Sequence, residues 1–166
     1  MFLWLFLGYT MAQSCINLDA NSPCGPAFQG APVFFGSMEE FLDNMNILKN
    51  TSSIVNEINS AGSCSILNND ALKQQYQASF FCAFIVEDAL VENRCPAVAP
   101  FVPQNSKLCP KVCDAFRGSI SKTLSSCKNP DNITGGINYF CKEKASKEEN
   151  NCFAGIKSDV DTCGKI

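Results

Sequence analysis

The chain has 166 residues, with 11 cysteines, no histidine, and 13 basic against 16 acidic residues for a net charge of −3. Without histidine there is no Ser-His-Asp or Cys-His catalytic pair and no His-containing zinc site. A pI near 4.9 argues against nucleic-acid binding, because the bases do not cluster as phosphate contacts require: Lys142, Lys144 and Lys147 alternate with Glu143, Glu148 and Glu149.

Residues Phe2 to Ala12 form an apolar run too short to cross a ~30 Å hydrocarbon core as a helix. It ends in Thr10-Met11-Ala12, a small-x-small pattern of the kind signal peptidase cuts after. Residues 1–12 are therefore expected to be a signal peptide and 13–166 the mature cysteine-rich domain. Ala31 to Phe35 reads as a short extended run. Ser37-Met38-Glu39-Glu40 is a capping box, followed by Met38, Phe41, Leu42, Met45 and Leu48 at helical spacing. A second helix is expected to start near Asn69-Asp70, with Leu72, Tyr76, Phe80, Ala83 and Phe84 on one face. The proline-rich stretch Pro96 to Pro103 reads as a loop. Pro110 suits a first helical turn, where its missing N–H would be unpaired anyway. Val112, Ala115, Phe116, Ile120 and Leu124 follow on one face. Gly135-Gly136 reads as a further loop. No second apolar stretch reads as a membrane span, since Glu87, Asp88, Glu92 and Arg94 interrupt Phe80 to Val102. The expected fold is mainly α: one disulfide-rich domain of helices with at most short strands.

The cysteines stand at 15, 24, 64, 82, 95, 109, 113, 127, 141, 152 and 163. In an exported chain they read first as a disulfide framework. Cys109 and Cys113 could instead hold zinc from one helical face, but no second close pair completes such a site. Spacing alone leaves connectivity open, with about 945 pairings for ten cysteines. Two sequons, Asn50-Thr51-Ser52 and Asn132-Ile133-Thr134, make Asn50 and Asn132 candidate glycosylation sites and agree with eukaryotic export.

Leu108-Cys109-Pro110-Lys111-Val112-Cys113-Asp114-Ala115-Phe116-Arg117 resembles the helix segment of frizzled-type cysteine-rich domains. Phe80-Phe81-Cys82 is similar to that family's aromatic-aromatic-x-Cys stretch, Cys64-Ser65 to its preceding Cys-Ser, and Cys15 and Cys24 to its early pair. The chain departs from the family in its longer gaps after Cys64, Cys82 and Cys113, and in having Cys24-Gly25-Pro26-Ala27-Phe28 where the family has Tyr-x-x-Thr. The resemblance implies a frizzled-like domain with the pairing Cys15–Cys95, Cys24–Cys82, Cys64–Cys127, Cys109–Cys152 and Cys113–Cys141. Cys163 is then the unpaired candidate, able to bond another chain.

The resemblance also implies a secreted or cell-surface domain that binds a secreted protein or lipid ligand, in some relatives through a groove for a fatty acyl chain. Phe41, Met45, Phe80, Phe81 and Phe84 are the candidate groove residues. Their helical spacing fits a plain core equally well, and Phe34-Phe35 carries the same ambiguity. A small lipid or sterol carrier with a helical, disulfide-braced pocket is the alternative. Catalysis has the least support. The pairs Glu39/Glu40 and Glu87/Asp88 are adjacent in sequence, so on a helix they point ~100° apart and do not converge on a substrate. A non-catalytic domain without cofactor or metal is expected.

Overall fold

In the computed structural model, residues 14–49, 59–60, 64, 76–91, 94–157 and 159 are described. The expected signal peptide 1–12, Asn50 and Cys163 lie outside these residues, as does Asn69-Asp70. Strand β1 (Cys15–Asn17) pairs antiparallel with β2 (Pro32–Phe34), setting Cys15 opposite Phe34 and Asn17 opposite Pro32. Four helices follow among the described residues: α1 (Met38–Lys49), α2 (Gln77–Leu90), α3 (Pro110–Thr123) and α4 (Asp131–Glu143). The protein is thus a mainly helical, disulfide-rich domain with one two-stranded ribbon.

Helix α2 is the centre. Ser79, Phe80, Phe81, Cys82, Ala83, Ile85, Val86 and Ala89 are all buried, covering most of its circumference. A helix apolar nearly all round must be enclosed, and α1, β2 and α3 pack against it, with α4 beside α3. Phe80 lies on Phe116 of α3 with ring centroids 4.4 Å apart and meets Phe140 of α4 edge-on at 5.0 Å. These rings tie three helices into one core.

The helix starts show two kinds of cap. Ser37 accepts the Glu40 N–H at 3.1 Å, as the capping box predicts. The Glu40 carboxylate, however, reaches one residue further back, to the Gly36 N–H at 2.7 Å. Helices α2 and α3 have no side-chain cap from their own N-cap residues, Tyr76 and Cys109. Distant acids supply it: Asp159 accepts the Ser79 N–H at 2.8 Å, and Glu149 accepts the Lys111 N–H at 3.0 Å. The tail reaches these positions as a strap. Phe153 forms a parallel bridge with Leu108, and its ring stands edge-on to Phe28 at 4.7 Å.

Two sequence expectations are corrected. Gly135-Gly136 is not a loop but the middle of α4, because Ile133, Ile137 and Phe140 form a buried stripe and Cys141 is bonded to Cys113. Tertiary burial outweighs the ~1 kcal/mol per glycine that disfavours helix. The second helix does not run unbroken through Tyr76, which is left-handed at φ 57°; α2 starts one residue later.

Five disulfides staple the domain: Cys15–Cys95, Cys24–Cys82, Cys64–Cys127, Cys109–Cys152 and Cys113–Cys141. They are the same five pairs as the frizzled order implies. Each closes a loop of 28 to 80 residues, for which chain entropy gives about 3.5–4.5 kcal/mol apiece when each is counted alone. Such a framework belongs to an oxidising compartment and suits an extracellular protein. Among the described residues no helix is long and apolar enough to cross a membrane.

Candidate functional site

The anticipated groove residues lie inside the fold. Phe41, Met45, Phe80 and Phe81 are buried, and Phe84 is half-buried with its ring 5.6 Å from that of Phe140. They fill the core, held there by the packing of α1 and α2 against the rest, so the groove expectation on these five gives way to a core reading. Of Phe34-Phe35, Phe35 is buried against Phe41 at 5.6 Å and Phe34 is half-buried. The segment Leu108 to Arg117 divides cleanly by face. Leu108, Cys109, Val112 and Cys113 point inward, while Lys111 and Asp114 are exposed. Asp114 and Arg117 pair with each other across one helical turn at 2.6 Å.

Zinc on Cys109 and Cys113 finds no thiolate, since each sulfur is taken by a different disulfide. Cys109, Cys152 and the Glu149 carboxylate do cluster, with candidate ligand atoms within 4.8 Å of one another. The two sulfurs in that cluster are bonded to each other, which leaves Glu149 as its single anionic ligand, and that carboxylate already accepts the Lys111 amide.

The surface is more informative. From Cys95 to Ser106 there is no charged residue, and none from Ala20 to Met38. The fold brings these two stretches together. The turn Pro26–Phe28 packs against the turn Pro103–Ser106. Between them Pro96, Ala97, Val98, Ala99, Pro100, Val102 and Pro103 are exposed, with Val98 at 46% and Val102 at 50%, and Pro26 and Ala27 lie open beside them. The result is an apolar, charge-free finger.

This finger is held firmly at several points. Its base is the Cys15–Cys95 bridge, and the Cys95 N–H donates to Ala89 O at 2.9 Å. The Val98 N–H donates to Gly30 O at 3.1 Å, and the Asn17 side-chain amide donates to both Gly30 O and Pro96 O at 3.2 Å. The Ala99–Pro100 peptide is cis, and Phe101 turns back to pack on the core. At the far end the Ser106 hydroxyl donates to Pro103 O at 2.8 Å. Gly30 is needed here for two reasons. Its φ of +81° disfavours other residues, and a Cβ on it would strike the Val98 carbonyl oxygen. Sequence reasoning saw this stretch only as a loop; the missed signal was the run without charge.

Comparison with protein-family models, with curated proteins and with solved structures gave no significant match to this chain.

Proposed function

We propose that this chain is an exported, non-catalytic binding domain of frizzled-like type, whose contact surface for a secreted protein or lipid ligand is the finger of residues 96–103 with Pro26 and Ala27. The observation that carries the reading is the finger itself: exposed apolar side chains on a backbone fixed by a disulfide and by hydrogen bonds to Asn17 and Gly30. Exposed apolar surface costs solubility and is retained where something covers it, and a fixed loop loses little entropy on binding. The order of the five disulfides supports the frizzled-like assignment. The competing carrier reading requires apolar side chains to line a cavity, whereas Phe80, Phe84, Phe116 and Phe140 pack ring to ring at 4.4–6.4 Å.

The test is binding of the oxidised domain, secreted from eukaryotic cells, to cell surfaces and separately to phosphatidylcholine vesicles. Saturable binding to one of the two that is lost in the Val98→Asp/Val102→Asp double variant supports the finger. Binding to neither, or binding indifferent to that variant, overturns it. An apolar molecule retained in native mass spectrometry by wild type and variant alike would favour the carrier.

A further inference from the structure

A partner can grip the finger only by what it presents, and residues 96–103 with Pro26 and Ala27 have no side chain that donates or accepts a hydrogen bond. The backbone adds little. Pro96, Pro100 and Pro103 have no N–H, and the N–H groups of Val98 and Phe101 donate to Gly30 O and Val98 O at 3.1 and 3.0 Å. Three prolines and two bonded amides mean that five of the eight residues from 96 to 103 present no open donor. The carbonyls of Pro96 and Pro103 accept from the Asn17 amide and the Ser106 hydroxyl, and those of Val98 and Val102 from the Phe101 and Asn105 N–H groups. Protein interfaces carry roughly one hydrogen bond per 100–200 Å² and are anchored by Trp, Tyr or Arg. The finger has none of these three, and its one aromatic ring, Phe101, packs on the core. Hydrocarbon makes the opposite demand, because it penalises every backbone polar group left unpaired.

Charge at the foot of the finger fits a lipid surface too. The first charged residues met on leaving it in either direction along the chain are Arg94 and Lys107, both cations, and the next after Lys107 is exposed Lys111. Exposed Gln104 and Asn105 lie between the finger and Lys107. The order from tip to foot is therefore apolar, amide, cation, which is the order of complementary layers from acyl chains to headgroup phosphates. The acids bordering the charge-free stretch Ala20 to Met38 are Asp19 and Glu39, seven residues before Pro26 and twelve after Ala27. Asp19 is engaged in its own turn, accepting the Asn21 N–H at 2.8 Å.

We propose that the finger inserts into the interface of a phospholipid bilayer, with Val98 and Val102 in the apolar layer and Arg94 and Lys107 among the phosphates. This rests on the finger being the contact surface, as proposed above, and makes its ligand a lipid surface rather than a secreted protein. The attachment is peripheral and reversible, since the exposed side chains are small. A bilayer has no fixed shape, so it takes up any apolar side chain in proportion to its area. A protein site is packed to the side chains it holds and is disturbed by larger ones.

The test is flotation of the oxidised, secreted protein with vesicles of phosphatidylcholine and phosphatidylserine, beside binding to intact cells and to cells stripped of surface protein by protease. Wild type should bind the vesicles and keep its binding to stripped cells. Val98→Asp/Val102→Asp should bind at least about tenfold more weakly, and Lys107→Gln about three- to fivefold more weakly. Val98→Phe/Val102→Phe should bind about five- to tenfold more tightly. Weaker vesicle binding by the Phe double variant overturns insertion, and an unchanged Lys107→Gln overturns the phosphate contact. Should intact cells bind through the finger while stripped cells and vesicles do not, the partner is a protein; the bilayer is then overturned and the finger remains the contact surface. Equal binding by wild type and the Asp double variant to every target overturns the finger itself.

Discussion

The Asp159 carboxylate caps a helix at Ser79, 80 residues earlier in the chain. It accepts both the backbone N–H of Ser79, at 2.8 Å, and the Ser79 hydroxyl, at 2.6 Å, while the Ser79 oxygen accepts the Ile156 N–H at 2.9 Å. Ser79 is wholly buried, and it sits at the third position of α2, where a local cap would normally deliver its oxygen. Asp159→Ala removes the cap and leaves a buried hydroxyl without its acceptor. The expected cost is about 1–3 kcal/mol, or a Tm lower by roughly 3–8 °C. Asp159→Asn keeps an acceptor but loses the favourable charge at the helix N-terminus, so its loss should be smaller. A thermal melt of both variants under oxidising conditions decides; equal stability to wild type would show that the strap is not held through this contact.

The finger depends on Gly30 more than on Gly25, although both have φ +81°. A Cβ at Gly25 meets nothing within 4 Å, whereas at Gly30 it meets the Val98 carbonyl, backbone that cannot yield like a flexible side chain. Gly25→Ala should therefore cost only the backbone penalty of its φ 81°, ψ 177° conformation, a region essentially reserved to glycine, about 1–3 kcal/mol. Gly30→Ala should cost the penalty of its own positive φ plus the displacement of the finger, including the Val98–Gly30 hydrogen bond of about 1 kcal/mol. Urea unfolding of the two variants gives the comparison, and limited proteolysis should find new cleavage between residues 96 and 103 in Gly30→Ala alone.

If Phe80 is core and Val98 is contact surface, their variants separate stability from binding. Phe80→Ala removes a ring lying between Phe116 and Phe140 and should cost about 3–5 kcal/mol. Val98→Asp changes a side chain 46% exposed and should shift stability by no more than about 0.5 kcal/mol. Denaturant midpoints for the pair test the assignment. A mild Phe80→Ala would return that residue to the groove reading.

Much of the architecture was legible from local sequence, and the misses have a common cause. The capping box at Ser37 and the proline at 110 announce α1 and α3 because those signals act within one turn. Helix α4 carried its signal too, in Ile133, Ile137 and Phe140 at steps of four and three, but the adjacent glycines outweighed it locally. The caps on α2 and α3 were beyond reach, since Asp159 and Glu149 act across 80 and 38 residues. Groove and core could not be told apart either. Helical periodicity fixes which residues share a face, and only the fold decides whether that face meets solvent. For the finger, absence of charge over Cys95 to Ser106 was visible, but its junction with Ala20 to Met38 is made by tertiary contacts.

Lys144 gives the domain a pH signature on the alkaline side. Its ammonium donates to the Glu87 carboxylate at 3.1 Å, joining the end of α4 to α2. The hydrogen bond to Glu87 and its charge hold the lysine above its ordinary value of about 10.5, with partial burial opposing and Tyr139 adding a smaller push upward. For a cation whose folded pKa is raised, the folded state keeps the proton more tightly than the unfolded chain. The stabilisation is then complete below the unfolded value and is lost as pH rises through the folded one. Both side chains remain a quarter to a third exposed, so screening limits the pair to below about 1 kcal/mol. Wild type should accordingly lose stability above about pH 10.5 by slightly more than Lys144→Met does. The difference between their Tm values should be flat from pH 7 to 9 and shrink beyond that range. A gap that persists unchanged at pH 12 would assign the effect of Lys144→Met to packing of the lysine stem rather than to its charge.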